Sequence, residues 1–131
     1  MVARILIIED NANNLTLMDY LLRAFGYAQL HATNGLAGLT MAKCDKPDLI
    51  LCDIQLPLLD GFSIVKTLKQ NASFSTIPII AVTALAMLGD KRKIIKAGFN
   101  GYITKPITPE TFVSEVEHFL QPSLLASKVH S

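Results

Sequence analysis

The sequence predicts a single α/β domain, built on a parallel sheet with helices on both faces. Short apolar runs alternate with amphipathic stretches, in strand-then-helix order, five times along the chain. Runs rich in Val, Ile and Leu without interruption are typical of parallel strands buried on both sides. A length of 131 residues is that of one domain with a substantial core. Right-handed crossovers then place all five strands in one direction, with the helices divided between the two faces.

The first half of the chain predicts three strands and two helices. An apolar run opens the chain, and in the helix after it apolar residues recur every three or four positions until Gly26, a helix stop signal. The second strand is weaker, and the second helix ends before Pro47. The third strand is apolar throughout. The predicted bounds are Arg4–Ile8, Asn13–Phe25, Ala28–Ala32, Gly35–Lys46 and Asp48–Cys52.

The second half predicts three helices and two strands. Pro57 and Gly61 mark a loop after the third strand, and Gly98 follows the fourth helix, as is common at helix C-termini. The predicted bounds are Phe62–Gln70, Ile77–Val82, Gly89–Ala97, Gly101–Thr104 and Glu110–Leu120. We expect residues 1–121 to form the domain and 122–131 a short C-terminal tail, with Ser123–Ser131 frayed.

Composition excludes several classes of protein. Twelve basic and eleven acidic residues give a net charge of +1, which is too balanced for a typical nucleic-acid binder. The N-terminus lacks a signal-peptide pattern, and no apolar stretch reaches the roughly 20 residues that span a bilayer. Cys44 and Cys52 fit no zinc or redox spacing. We therefore expect a cytoplasmic protein that binds neither nucleic acid nor membrane.

Polar residues follow four of the five predicted strands. Glu9 and Asp10 come after the first strand, Asp53 after the third, Thr83 after the fourth and Lys105 after the fifth. In a parallel sheet these positions meet at the carboxyl edge, where ligands bind. Crowded carboxylates repel one another unless a cation joins them, and oxygen ligands suit Mg²⁺. A lysine and a hydroxyl beside a metal suggest a bound phosphoryl group.

Taken singly, each of these residues has an ordinary interpretation. Asp10 is a possible helix cap, Asp53 and Thr83 are possible turn residues, and Lys105 is a possible surface charge. Their joint occurrence at strand ends favours a functional site over four coincidences.

The motifs that contain these residues resemble those of a known family. They are Ile8–Asn11, Asp48–Pro57 with Asp60 and Gly61, Val82–Ala84, and Tyr102–Pro106. The chain resembles, from about residue 4 to residue 120, the receiver domain of two-component response regulators, in the CheY-like superfamily. Ala84–Met87 with Gly89 and Asp90 are most similar to stand-alone receivers of the DivK type and to receivers in hybrid histidine kinases. The resemblance implies a flavodoxin-like (βα)5 fold with sheet order 2-1-3-4-5.

The resemblance also implies a phosphoacceptor and a metal site. Asp53 would attack the phosphorus of a phosphohistidine on a partner and become an aspartyl phosphate. Asp10, Asp53 and the backbone carbonyl of Gln55 would ligate Mg²⁺, with Glu9 acting through water.

Further residues acquire roles by the same resemblance. Lys105 and Thr83 would bind phosphoryl oxygens, with the backbone of Ala84 beside them, and the Lys105–Pro106 peptide would be cis. Tyr102 would follow Thr83 inward and change the surface of the fourth helix, fifth strand and fifth helix, a switch biased by a new charge. The basic run Lys91–Lys93 on that surface would then contact a partner rather than DNA.

The resemblance predicts a phosphorelay component whose partners are a sensor histidine kinase or phosphotransfer protein and an unknown downstream protein. The first helix, with Asn13, Asn14 and Leu17, would face the phosphoryl donor. The start at Met1, close to the first strand, favours a free-standing protein over a piece of a hybrid kinase, which stays open. We separately expect a monomer or weak dimer. Leu85 is apolar where it flanks the path of the hydrolytic water, so we expect a long-lived phosphoryl group.

Three alternatives remain open at this stage. A phosphohydrolase with an aspartate nucleophile commonly carries an acid two residues after it, where this chain has Gln55. A nucleotide- or flavin-binding domain would carry a glycine-rich phosphate loop after the first strand, which is absent. A degenerate scaffold is opposed by the presence of Asp10, Asp53, Thr83 and Lys105.

Overall fold

The computed structural model describes residues 2–84 and 88–126 and confirms the predicted fold class. Five parallel strands form one sheet in the order β2-β1-β3-β4-β5. The strands are β1 Arg4–Ile8, β2 Ala28–Ala32, β3 Leu49–Asp53, β4 Ile79–Thr83 and β5 Gly101–Thr104. The helices are α1 Ala12–Ala24, α2 Gly35–Asp45, α3 Gly61–Lys69, α4 Leu88–Ala97 and α5 Pro109–Glu117. None of the helices among the described residues has the length and apolar character that a membrane span requires.

The core has two layers, because successive residues of a strand point to opposite faces of the sheet. Ile5 and Ile7 of β1 pack with α1 and α5, whereas Leu6 and Ile8 pack with α2, α3 and α4. Every residue of β3 is buried, which places its last residue, Asp53, inside the protein rather than in a surface loop. The uninterrupted apolar run in the sequence therefore corresponds to the centre of the sheet.

Most predicted element ends are displaced by one to three residues, and the caps explain several of these shifts. Helix α1 begins at Ala12 because the side chain of Asn11 accepts a hydrogen bond from the Asn14 amide at 2.9 Å, so Asn11, not Asp10, caps it. Helix α3 begins at Gly61 because Asp60 caps it in the same way. Strand β3 extends to Asp53, one residue further than predicted.

The segment Pro122–Ala126, here called the C-terminal strap, contradicts the predicted frayed tail as far as Ala126. Its first residues form a short 3-10 turn, and its last three pack against the core layer that includes residues of α1 and α5. The Ala126 amide donates a hydrogen bond to the Tyr27 hydroxyl at 3.1 Å, and that hydroxyl donates to the carboxylate of Glu117. Burial and the Glu117 contact raise the pKa of Tyr27 to about 12. Residues 127–131 lie outside the described part of the chain.

Candidate functional site

The register of the central strands brings two acids together at the carboxyl edge of the sheet. Ile8 of β1 pairs with Cys52 of β3, so Glu9 and Asp53 emerge side by side. Both are buried, at 1% and 7% exposure, whereas Asp10 is exposed. One carboxylate oxygen from each of these three residues lies within 4.8 Å of the others. The predicted acidic cluster is therefore formed.

Lys105 reaches this cluster from the end of β5, which is separated from β3 by β4 in the sheet. Thr83 and Thr104 are register partners at the ends of β4 and β5, and the Lys105 amide donates a hydrogen bond to the Thr83 carbonyl at 2.8 Å. The Lys105 Nζ lies 2.9 Å from Glu9 Oε1 and 3.0 Å from Asp53 Oδ2. A single ammonium thus joins the two buried acids, and this contact was not evident from the sequence.

Backbone amides hold the remaining carboxylate oxygens. The Asn11 amide donates to Glu9 Oε2, and the Gln55 amide donates to Asp53 Oδ1, each at 3.2 Å. Asn11 was missed as a site residue, although a helix-capping residue directly after two acids is a usable signal. Together with the Lys105 contacts, these hydrogen bonds fix the orientation of both carboxylates.

Glycine permits the close packing of the loop that follows Asp53. A side chain at Gly61 would place its Cβ 2.7 Å from the Asp53 carbonyl oxygen and 2.8 Å from the Ile54 Cα. Within this loop Leu58 adopts a left-handed backbone conformation, with φ of 70°, and its side chain is 72% exposed. Such a conformation is strained for a leucine.

The pKa values of Glu9 and Lys105 reflect the opposing effects of burial and of neighbouring charges. Burial, together with the Asp53 charge, raises the pKa of Glu9 above its usual value despite the contact with Lys105. Burial alone lowers the pKa of Lys105, but the contacts with Glu9 and Asp53 outweigh it and raise that pKa. Three carboxylates facing one ammonium leave an excess of negative charge. An all-oxygen cluster of this kind fits a hard divalent cation such as Mg²⁺.

The other predicted site residues lie at the ends of β4 and β5 or beyond them. Thr83 is buried at 2% exposure, and Ala84 follows it as an exposed residue. The Lys105–Pro106 peptide is cis. Leu85, on which the expected long phosphoryl lifetime depends, lies outside the described residues.

Tyr102 lies away from the cluster, on the face of β5 covered by α4. Its half-buried ring packs with the core beneath α2, α3 and α4. The Lys91 Nζ of α4 lies 5.5 Å from the ring centroid, within the range of a cation–π contact. The structure therefore connects the predicted switch tyrosine to the fourth helix through a charged side chain.

Comparisons with known proteins give one consistent result. The family model described as the response regulator receiver domain matches residues 5–117. A polar-differentiation response regulator DivK of Brucella anthropi is 42% identical over 116 residues, which cover 88% of this chain and 94% of the relative. DivK of Brucella ovis is 41% identical over 120 residues, covering 92% and 98%.

Solved structures agree with this result. Chemotaxis response regulator CheY4 of Vibrio cholerae superposes with a TM-score of 0.87 at 25% identity, covering 92% of this chain and 100% of that chain. The receiver domain of a sensor histidine kinase of Pseudomonas aeruginosa has a TM-score of 0.82 at 32% identity, covering 91% and 98%. That structure holds a magnesium ion coordinated in its active-site cleft.

Proposed function

The chain belongs to the family of response regulator receiver domains, and we propose that it accepts a phosphoryl group on Asp53 in a two-component phosphorelay. The observation that carries the proposal is the position of Asp53 at the end of β3. It is 7% exposed, within 3.0 Å of the Lys105 ammonium and clustered with Glu9 and Asp10. A lone surface aspartate has no comparable surroundings.

The proposed reaction transfers the group from a phosphohistidine of a sensor kinase or phosphotransfer protein. An Asp53 carboxylate oxygen forms a bond to phosphorus while the phosphorus–nitrogen bond breaks, and the leaving imidazole takes up a proton. Lys105 turns from the carboxylates toward a phosphoryl oxygen, and the Thr83 hydroxyl and Ala84 backbone amide hold others. Stabilising developing negative charge with fixed donors is the usual source of catalysis in phosphoryl transfer.

The same acids provide the proposed magnesium site. Asp10, Asp53 and the backbone carbonyl of Gln55 would ligate Mg²⁺, and Glu9 would act through a bound water. When bound, the ion supplies positive charge that neutralises the phosphoryl oxygens. This assignment is supported by the acidic cluster, in which one carboxylate oxygen from each of Glu9, Asp10 and Asp53 lies within 4.8 Å of the other two.

Receiver domains are signalling modules, and we propose that this chain catalyses only its own phosphorylation and dephosphorylation. The output is a changed surface on α4, β5 and α5, with Thr83 and Tyr102 as the residues that move. A downstream protein then binds that surface. A two-component receiver of this type acts in the cytoplasm, where kinases present their phosphohistidines.

Intact mass tests the proposal directly. We expect incubation with acetyl phosphate and Mg²⁺ to add one phosphoryl group to the wild type. The adduct should be absent from Asp53→Asn and from a sample in EDTA. Asp90→Asn, which makes the same change on α4, serves as the matched control and should be phosphorylated normally.

Two outcomes would contradict the proposal. An adduct that persists in Asp53→Asn would place the chemistry elsewhere. A wild type that takes no group from acetyl phosphate or from a phosphorylated phosphotransfer protein, and binds no Mg²⁺ in a titration, would be a scaffold with a vestigial site. Decay of the adduct within seconds would contradict the expectation based on Leu85.

A further inference from the structure

We propose that Gly35, the first residue of α2, is a positioning residue for the magnesium and phosphoryl site. It acts through the loop of residues 54–60, here called the acceptor loop, which follows Asp53 and carries the backbone carbonyl of Gln55. The inference rests on the proposed function, which gives that carbonyl to Mg²⁺ as a ligand. Three observations carry it: the contact of Gly35 with the loop, the stiffness of the loop and the anchoring of α2.

Gly35 contacts the acceptor loop through backbone atoms. The Gly35 amide donates a hydrogen bond to the Pro57 carbonyl at 3.1 Å, and the Leu59 amide donates to the same oxygen at 2.9 Å. A Cβ added at Gly35 would lie 1.7 Å from the Leu59 carbonyl oxygen and 2.5 Å from the carbonyl carbon. Nonbonded carbon atoms pack at about 3.5–4.0 Å, so the helix and the loop would have to separate by more than about 1 Å. Since a backbone carbonyl cannot rotate away as a side chain can, the loop itself would have to change its path.

The acceptor loop is short and stiff, so a displacement near its tip reaches the site. Only Leu56 separates Gln55 from Pro57, and the proline ring fixes one backbone angle and restricts the residue before it. At the site, the Gln55 amide donates to Asp53 Oδ1 at 3.2 Å. A movement of Pro57 therefore turns the Gln55 carbonyl and alters the orientation of the Asp53 carboxylate.

Helix α2 is anchored too firmly to move in place of the loop. Its first turn is capped by Asn34, whose side chain accepts a hydrogen bond from the Ala37 amide at 2.8 Å. Gly38 of the same helix packs so closely on β1 that an added Cβ would lie 2.6 Å from Ile8 Cδ1. Because α2 is fixed to the sheet, a clash at its first residue is passed to the acceptor loop.

The shape of the acceptor loop also depends on support from outside. Leu58, at the loop tip, has a left-handed backbone with φ of 70°, and its side chain is 72% exposed. A strained backbone of this kind persists only where its surroundings hold it. The exposed side chain offers little support, whereas the hydrogen bond from Gly35 to Pro57 holds the adjoining residue. The first residue of α2 thus helps to keep the loop in the shape that forms the site.

Close packing at a glycine often has a purely structural role, and Gly101 provides the comparison. A Cβ at Gly101, the first residue of β5, would lie 2.3 Å from Phe119 Cζ. This contact is at the amino edge of the sheet, at the opposite end from Asp53. Gly101→Ala should therefore lower stability and leave the site unchanged, whereas Gly35→Ala should change the site.

A Mg²⁺ titration of the full chain, followed by amide-resolved NMR, measures the effect on the site. We expect Gly35→Ala to raise the Mg²⁺ dissociation constant about tenfold or more, because losing a residue that orients a metal ligand typically costs about 10- to 100-fold in affinity. Gly101→Ala should bind Mg²⁺ as the wild type does. Urea unfolding in EDTA should show that both variants are destabilised, so a loss of affinity confined to Gly35→Ala does not come from folding.

Hydrogen exchange in the wild type tests the same connection without a substitution. If the Gly35 contact positions a ligand of Mg²⁺, then by thermodynamic reciprocity bound Mg²⁺ must strengthen that contact. We expect saturating Mg²⁺ to slow exchange of the Gly35 amide several-fold. The Lys46 amide, which donates to the Ala42 carbonyl at 3.1 Å at the far end of α2, is the matched control and should change little. This comparison decides the inference if Gly35→Ala does not fold.

Each other outcome overturns the inference. Unchanged Mg²⁺ affinity in a folded Gly35→Ala protein, or an equal loss in Gly101→Ala, would reduce Gly35 to a packing residue. Equal effects of Mg²⁺ on exchange of the Gly35 and Lys46 amides would contradict the connection between α2 and the site.

Intact mass after acetyl phosphate treatment, measured on the same samples, separates the two proposals. A wild type that binds Mg²⁺ and takes a phosphoryl group, beside a Gly35→Ala protein that does both equally well, refutes the inference alone. A wild type that does neither refutes the proposed function, and this inference with it.

Discussion

Two half-buried lysines, one at each end of the sheet, have opposite electrostatic surroundings. Lys105, at the carboxyl edge, contacts the carboxylates of Glu9 and Asp53 at 2.9 and 3.0 Å. Lys69, at the amino edge, donates within the described residues to neutral oxygens alone: the carbonyls of Ser75 and Ile77 at 3.1 and 3.2 Å, and Asn100 Oδ1 at 3.0 Å. The pKa of Lys105 is raised by its contacts, while burial lowers that of Lys69.

The difference separates a lysine with a structural role, Lys69, from a lysine of the candidate functional site, Lys105. Lys69 joins the end of α3 to the loops that lead into β4 and β5, through carbonyl and amide oxygens that carry no charge. Lys105 holds acids that also suit a divalent cation, so its contacts are exchangeable. We therefore expect substitutions at the two lysines to differ in kind as well as in size.

The largest expected difference is in phosphoryl uptake. Lys105→Met should slow adduct formation from acetyl phosphate by about a hundredfold, the usual cost of one lost donor to developing charge. Lys69→Met should leave the rate unchanged. A time course of intact mass under saturating Mg²⁺ measures both. An equal loss in both variants would mean that the effect comes from folding.

Stability should show a smaller difference that depends on the metal. Lys105→Met leaves Glu9 and Asp53 unpaired and should lower the free energy of unfolding by about 3 kcal/mol in EDTA. Added Mg²⁺ should recover part of this loss. Lys69→Met leaves carbonyl oxygens without a donor and should cost about 1–2 kcal/mol.

Urea unfolding with and without Mg²⁺ measures both quantities. The comparison fails if the Lys69→Met protein regains stability on adding Mg²⁺, or if the Lys105→Met protein does not.

Backbone strain allows the same comparison at a smaller scale. Leu58 at the carboxyl edge and Lys46 at the amino edge both have positive φ, at 70° and 44°. Leu58→Gly relieves strain at an exposed side chain and should stabilise the protein by about 0.5–1 kcal/mol. Lys46→Gly should gain less, because the Lys46 Nζ lies 5.7 Å from the Phe74 ring centroid and that contact would be lost. Thermal or urea unfolding midpoints of the two glycine variants measure these gains in stability. A larger gain for Lys46→Gly than for Leu58→Gly would contradict the prediction.

The smallest expected effect is the alkaline pH dependence of stability. With its pKa lowered in the folded state, Lys69 loses its proton before the unfolded chain does, so its contribution to stability rises with pH up to about 10.5. With its pKa raised, Lys105 contributes fully below 10.5, and that contribution is lost as pH rises through its folded-state pKa. Relative to the wild type, Lys69→Met and Lys105→Met should therefore change the slope of unfolding free energy against pH in opposite directions. Slopes of the same sign would contradict the assigned pKa shifts.

Local patterns in the sequence were sufficient for the class of fold and for grouping the strand-end residues, whereas Gln55, Ala84 and Tyr102 came from the family resemblance. The apolar run Leu49–Cys52 predicted a strand buried on both faces, and strand-end positions alone grouped Glu9, Asp10, Asp53, Thr83 and Lys105. The sheet order came from the family resemblance, because periodicity carries no information about which strands are neighbours. Element ends shifted where caps such as Asn11 and Asp60 compete with helix periodicity.

The remaining features depend on contacts between distant residues. Tyr27 and Glu117 are 90 positions apart, and Lys69 and Asn100 are 31 apart, so no local window relates them. The frayed-tail prediction, based on small and polar residues, is wrong for residues 123–126, because Leu124 and Leu125 pack against a core cluster that includes residues of α1 and α5. The strain at Leu58 also depends on the folded loop, since leucine itself does not predict a positive φ.

The C-terminal strap has a practical consequence for anyone who attaches a reporter to this protein. A fluorescent fusion joined directly after Leu120 would discard the strap, leaving the Tyr27 hydroxyl without its amide partner and the surface between α1 and α5 open to water. A fusion joined beyond Ala126 keeps the strap seated. Labelled versions of this chain should therefore retain at least its first 126 residues. An altered cellular phenotype can then be attributed to the label itself and not to a destabilised receiver domain.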